Sequence, residues 1–401
     1  MNVTSRWPAV PLGELVADTQ YGTSVKANEE GVGVPVLRMG NITYSGALDL
    51  TDLKHVELPS KDLERYSVQR GDLLFNRTNS QELVGKMGVW DRDEPYAFAG
   101  YLVRLRLKRD VAEPAFVAAW FNTTEMKTLL RARGKPSINM SNINATEVLK
   151  FPVVLPPLPE QRRIAEVLDR AEALRAKRRA ALAQLDDLTQ AIFLDLFGDP
   201  VTNPKGWPKA MLGDTTEMVT GYPFRSEEYV TNGDSVRLCR GANILPGRVD
   251  WSDLARWPEC KAGALAEFRL AVGDVVIAMD RPWISEGFKI ARVQPEDCPA
   301  LLVQRVARLR GKKEMPNAFL FHLLNQPAFT HHCRPTETTI PHISPKDIRS
   351  FTFPLPPITL QREFARRVSA VEALKVAQRA SLAELDALFA SLQHRAFRGE
   401  L

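Results

Sequence analysis

Apolar residues along the chain follow two rhythms that alternate. Ile164, Val167, Leu168, Ala171, Leu174, Ala181, Leu182, Leu185, Leu188, Ile192 and Leu196 recur at heptad-like spacing, the pattern of a helix with one apolar stripe. Phe364, Val368, Val371, Leu374, Leu382, Leu385, Leu388, Phe389 and Leu392 repeat it near the far end. No proline or glycine falls between Glu160 and Phe197 or between Leu360 and Phe397, so each stretch predicts one unbroken helix. About 37 residues at 1.5 Å rise make a rod of roughly 55 Å. A stripe this narrow needs a partner, and the other copy supplies one. Arg178 and Gln378 interrupt the two stripes at matching places, as polar residues do when they fix coiled-coil register.

The other rhythm is short. Runs at 34–37, 72–75, 85–90 and 99–107 are β-branched or alternating and bounded by Gly, Asn, Asp and Pro, which predicts half-buried strands. The runs at 236–239, 274–278, 287–293 and 301–309 answer them, and a helix is expected after each set, at 114–133 and 316–328. The two halves are copies. LPPLPEQRRIAEVLD at Leu155 returns as LPPITLQREFARRVS at Leu355, 200 residues on, and Trp7-Pro8 returns as Trp207-Pro208. The proline step holds the chain extended before each helix. The expected architecture is α+β: two similar domains of mixed β-sheet with helices, separated by two long antiparallel coiled-coil helices. The expected boundaries are 1–154 for the first domain, 155–197 for the first long helix, 198–354 for the second domain and 355–401 for the last helix.

Composition narrows the class only slightly. A net charge of +5 permits a polyanionic partner without requiring one. No apolar run approaches the ~20 residues of a membrane span, and the first residues lack a secretory pattern, so a cytoplasmic protein is expected. Cys239, Cys260, Cys298 and Cys333 are widely spaced and read as free thiols. Gly31-Val32-Gly33 lacks the third glycine of a dinucleotide loop, and no phosphate loop, zinc-protease or hydrolase motif occurs. Cys333 with His331, His332 or His322 makes a poor zinc set, because adjacent side chains rarely converge. Glu125-Met126-Lys127 and Glu259-Cys260-Lys261 are too short and too differently placed for a nuclease site.

Polar loops suited to nucleic acid stand out instead. After the Gly-Asp strand come Asn76, Arg77, Asn79 and Ser80, with Arg281 in the counterpart turn. Before the long helices lie Lys135, Ser137 and Asn139 in one copy, Thr338 and His342 in the other. Arg38-Met39-Gly40-Asn41 is echoed by Arg240 to Asn243. Arginine can pair with guanine and asparagine with adenine, while Ser, Thr and Lys serve phosphates.

Together the duplicated LPP lead-ins, RGDLLFNRTNS at Arg70, FGDPVTNPKGWP at Phe197 and the closing FRGEL resemble the specificity subunit of a type I restriction-modification system. The resemblance implies two target-recognition domains, each reading half of a split sequence in double-stranded DNA, with adenine methylation or cleavage carried out by other chains. It implies modification and restriction subunits as partners, two of each, the former docking on the long helices near Gln161, Arg162, Gln361 and Arg362. No cofactor is expected here, S-adenosylmethionine, ATP and Mg2+ belonging to those partners. A scaffold of a phage-defence complex that reads no sequence, and a self-contained nuclease, are the rival readings.

Overall fold

The structure is a computed structural model describing residues 6–137, 140–231, 233–312, 315–333 and 341–401, with the side chains of 135–137 and 140 left out. Two compact units divide it, one of 1–179 with 380–401 and one of 180–379, so each unit takes one module together with half of each long helix.

Each module closes on a two-stranded ladder next to the proline step. Ala9–Pro11 pairs antiparallel with Pro152–Val154, and Lys209–Met211 with Thr352–Pro354. Inside, the first module has a four-stranded antiparallel sheet in the order Val16–Tyr21, Leu102–Leu107, Leu73–Asn76, Met87–Val89. Three further strands, Lys54–Val56, Val34–Leu37 and Ala97–Phe98, form a second sheet whose last pair is parallel. The second module repeats both: Thr216–Thr220, Val306–Gly311, Val275–Ala278 and Ile290–Arg292, then Arg256–Pro258, Ser235–Cys239 and Ala300–Leu302.

The repeated Gly-Asp pair is a turn device. Gly71 and Gly273 take φ of +88° and +91°, where a side chain would be strained. The next carboxylate then ties the turn: Asp72 accepts from Gln69 N and Arg106 Nε, and Asp274 from Ala271 N and Arg310 Nε.

The helix expected at 114–133 is two, Pro114–Phe121 and Thr124–Arg133. Asn122 turns its amide back onto Met87 O and Ala118 O, and Thr123 caps the new helix by accepting from Met126 N. Its counterpart breaks in the same place, into Asn317–Leu324 and Pro327–His332, because Pro327 must begin a helix rather than continue one. The strands at 16–21 and 216–220, too polar to read from the sequence, complete the sheets.

The long helices run Leu158–Phe197 and Ile358–Arg398. Within the first unit Ile164 and Leu168 share a core with Ala396 and Phe397; within the second, Phe193 and Phe197 share one with Phe364 and Val368. The pairing is therefore antiparallel in both. Buried and half-buried positions step strictly by four and three through 164, 168, 171, 175, 178, 182, 185, 189, 192 and 196, and through the same positions 200 residues on. Leu174, Leu188, Leu374 and Leu388, expected on the stripe, are instead 43–54% exposed, while Arg175, Thr189, Lys375 and Phe389 take the seam positions beside them. The strict four-three alternation puts each of these leucines one residue outside the seam.

Candidate nucleic-acid interface

The same short turn stands at the edge of both modules. Asn41 is buried, its Oδ1 accepting from Arg38 N at 2.8 Å and its amide donating to Asp49 O and Asp52 O. Asn243 repeats this with Arg240 N, Asp250 O and Asp253 O. Both asparagines are thus committed to holding their loop, so neither offers a free amide to a base. Arg38 and Arg240 lie partly exposed on the loop rim, paired with Asp52 and Asp253 at 2.9 Å.

A lysine backs each turn. The buried Lys86 donates to Met39 O and Ile42 O, and the buried Lys289 to Gly241 O. Burial pushes both ammonium groups below the usual lysine range, with Arg281 adding to the effect at Lys289. These lysines were absent from the expected set. Their signal was a single cation inside an apolar strand of both copies, after Gly85 and after Gly287-Phe288.

The structure gathers Arg38, Asn79, Lys86 and Tyr101 around an open cavity of about 420 Å³, with Asp49 and Asp52 on its wall. Asn76 lies fully buried, its amide 3.3 Å from Met39 O and its Oδ1 without a partner among the described residues. Arg77 donates to Asn142 Oδ1 at 3.0 Å and lies 5.1 Å over the Tyr21 ring. It has no carboxylate partner among the described residues. Asn79 Oδ1 accepts from the backbone of half-buried Ser80. Lys135 and Ser137 sit in the strand Lys135–Ser137, which joins Met140–Asn142 and Thr78–Asn79 in a ribbon. Asn139 and Thr338 lie outside the described residues.

The counterpart of Arg77 is Met279 rather than Arg281. Ile143 N donates to Arg77 O and Ile343 N to Met279 O, and the Thr78 to Asn142 pairing is matched by the bridge of Asp280 with His342. Arg281 therefore stands where Asn79 stands, exposed, its N–H on Pro341 O. His342 is exposed and matches Asn142. One register of backbone carries Arg77, Asn79 and Asn142 in the first module and Met279, Arg281 and His342 in the second.

The positions expected to meet partner chains divide. Gln161 is fully buried and bridges Val111 O, Pro156 O and Glu113 N at 2.9–3.0 Å, and Gln361 is buried on Pro356 O. These side chains pin the lead-in to the helix and are closed to a partner. Arg162 and Arg362 are exposed.

Among the described residues, the candidate reactive groups do not come together. No group of three metal-ligating side chains occurs among the described residues. Burial pushes the Cys239 and Cys333 thiols up to about 12 and the His322 ring down to about 3, so the thiols stay protonated and the imidazole neutral. Glu259 pairs with Arg269 and Lys261 with Glu228, so the Glu-x-Lys triplet there is dispersed. No helix among the described residues is long and apolar enough to cross a membrane.

The fold is a duplicated module with divergent polar edges, joined to paired helices. The chain belongs to the type I restriction modification DNA specificity domain family, matched at residues 5–184 and again at 204–385. It is similar to the putative type I restriction enzyme MjaX specificity subunit of Methanocaldococcus jannaschii, 25% identical over 389 residues, covering 92% of this chain and 87% of that protein. It is 34% identical over 177 residues to the type I restriction enzyme EcoAI specificity subunit of Escherichia coli, 44% of this chain and 29% of that one. Its fold resembles the type I restriction-modification S subunit from M. genitalium, with a TM-score of 0.61 and 13% identity over 99% and 97% of the two chains. It is a specificity subunit, the non-catalytic, DNA-recognising component of a complex with methyltransferase and restriction partners.

Proposed function

We propose that each module reads its own half of a bipartite DNA target, the first through the edge bearing Arg77, Asn79 and Arg38, the second through the edge bearing Arg281, His342 and Arg240. The observation that carries this is the substitution pattern at one backbone register: Asn79 and Asn142 are answered by the exposed Arg281 and His342, and Arg77 by Met279, which is buried in the core. Shared scaffold keeps the edge in place, while different side chains at its rim change which base edges it can meet. The two half-sites therefore differ in sequence. Asn41, Asn76 and Asn243 contribute by holding the loops, and Ser80, Lys135 and Ser137 supply phosphate contacts.

Two modification subunits dock on the helix pair in the cytoplasm, and two restriction subunits join them. Leu174 and Leu374, and likewise Leu188 and Leu388, are exposed at repeat-related positions, which suits two copies of one partner. Arg162 and Arg362, exposed near the start of each long helix, take part in the docking. S-adenosylmethionine, ATP and Mg2+ bind the partners.

Exchanging residues 1–154 for the matching module of another family member tests the reading. Selection of bound duplexes from a random library by the reconstituted complex then shows one half of the target changed and the other retained. Both halves changing together would refute it.

A further inference from the structure

Among the cations of the first module that have no carboxylate partner among the described residues are four around the candidate edge, Arg77, Lys86, Lys127 and Arg131, whereas Arg38, Arg70, Arg104 and Arg106 are each paired with aspartate. Three of the four gather near one hairpin. Lys127 and Arg131 sit one turn apart on the helix Thr124–Arg133. The buried Lys127 ammonium lies 3.6 Å from the centroid of the Tyr44 ring and donates to Tyr44 O. Arg131 donates through one terminal nitrogen to Tyr44 Oη at 2.7 Å and to Glu82 O, and its other terminal nitrogen has no partner among the described residues. Lys86 reaches the same hairpin at Ile42 O. The Tyr44 ring is 49% exposed.

Uncompensated positive charge is costly to assemble. Burial, then Arg131 and Lys86, hold Lys127 down at about 8, so a neighbouring anion would stabilise the whole group. The fold does not require the arrangement. Pro246 stands two residues after Ile244, as Tyr44 does after Ile42, and Thr330 stands five residues after Asn325, as Lys127 does after Asn122. The loop-backing lysine and the rim arginine are kept in both modules; the tyrosine and Lys127 are found in the first alone.

We propose that Tyr44 and Arg131, backed by Lys127, form a clamp for one DNA phosphate, a contact of the first module that the second lacks. The inference rests on the half-site reading above. A phosphodiester oxygen would meet that other terminal nitrogen of Arg131 and the Tyr44 hydroxyl, while the Lys127 ammonium holds the ring from behind.

The test is the affinity of the reconstituted complex for target and random duplexes across salt concentrations. Arg131→Gln should weaken binding to both by the same factor and lower the salt slope by about one unit. Arg131→Lys should keep the slope, and Tyr44→Phe should weaken both duplexes while keeping it. An unchanged slope in Arg131→Gln, or a loss confined to the target at one base-pair position, overturns the proposal. Should Arg131→Gln fail to fold, the charge-preserving pair decides, and full affinity in Tyr44→Phe overturns it. A wild-type complex that does not prefer its target over random duplex overturns the half-site reading instead, before any variant is compared.

Discussion

Arg175 Nε lies 2.6 Å from Asp386 Oδ1, linking the two long helices, and Lys375 Nζ lies 2.7 Å from Asp186 Oδ1 in the repeat-related place. Each cation occupies a seam position, and each is also held by the glutamate three residues earlier, Glu172 or Glu372. A cation on an apolar seam is tolerated because its stem covers the neighbouring side chains, Arg175 lying 4.4 Å over the Phe389 ring. Only an antiparallel pair in this register brings 175 to 386 and 375 to 186. The two ion pairs therefore specify alignment.

Reversing one charge tests that role. Lys375→Glu sets a carboxylate beside Asp186 and Glu372 and should lower the melting temperature, with Asp186→Lys in the same chain recovering most of the loss. The coupling in a double-mutant cycle should be on the order of 1 kcal/mol, since the pair is partly exposed. A coupling near zero would remove the pair from any role in register.

Arg77→Ala should impair binding through the first module, whereas Met279→Ala should act on stability alone. A lost base contact costs about 1 to 3 kcal/mol at one position of the target, and a lost phosphate contact lowers the salt slope by about one unit. Binding measured across salt and across single-base variants separates these outcomes. Equal effects of the two substitutions on DNA would undo the assignment of the edge.

Gln161→Leu leaves Val111 O, Pro156 O and Glu113 N without their buried partner and should destabilise the chain by about 1 to 3 kcal/mol. Chemical denaturation measures this. Assembly with the modification subunit, assayed below the melting range, should be unchanged, because the side chain is fully enclosed.

Lys127 makes stability depend on pH in a defined window. Its folded value of about 8 lies below its ordinary 10.5, so between these limits the unfolded chain binds more protons and stability rises with pH. Below about pH 8 both states are protonated and the full cost of burying the charge is present. Lys127→Met removes that cost, so its melting-temperature advantage over wild type should be largest near neutrality and shrink toward pH 10. A gap that stayed constant across this range would show that the ammonium is not destabilised by burial.

Periodicity alone determined the duplication, the two long helices and most of the strands, since unbroken four-three spacing and period-two alternation are local properties of backbone geometry. The type of protein was legible as well, through motifs repeated 200 residues apart. Which polar residue stands where was decided by tertiary structure. Asn41, Asn243, Gln161 and Gln361 look available in the sequence and are consumed by buried carbonyls, because a backbone oxygen enclosed by folding must be paired. Arg281 reads from the sequence only as part of the counterpart turn, and the ladder to Pro341 and His342 sets it at the register of Asn79. Register of that kind is set by partners far away in the chain. For the same reason Leu174 and Leu374 surrender the seam to Arg175 and Lys375, whose partners lie on the other helix.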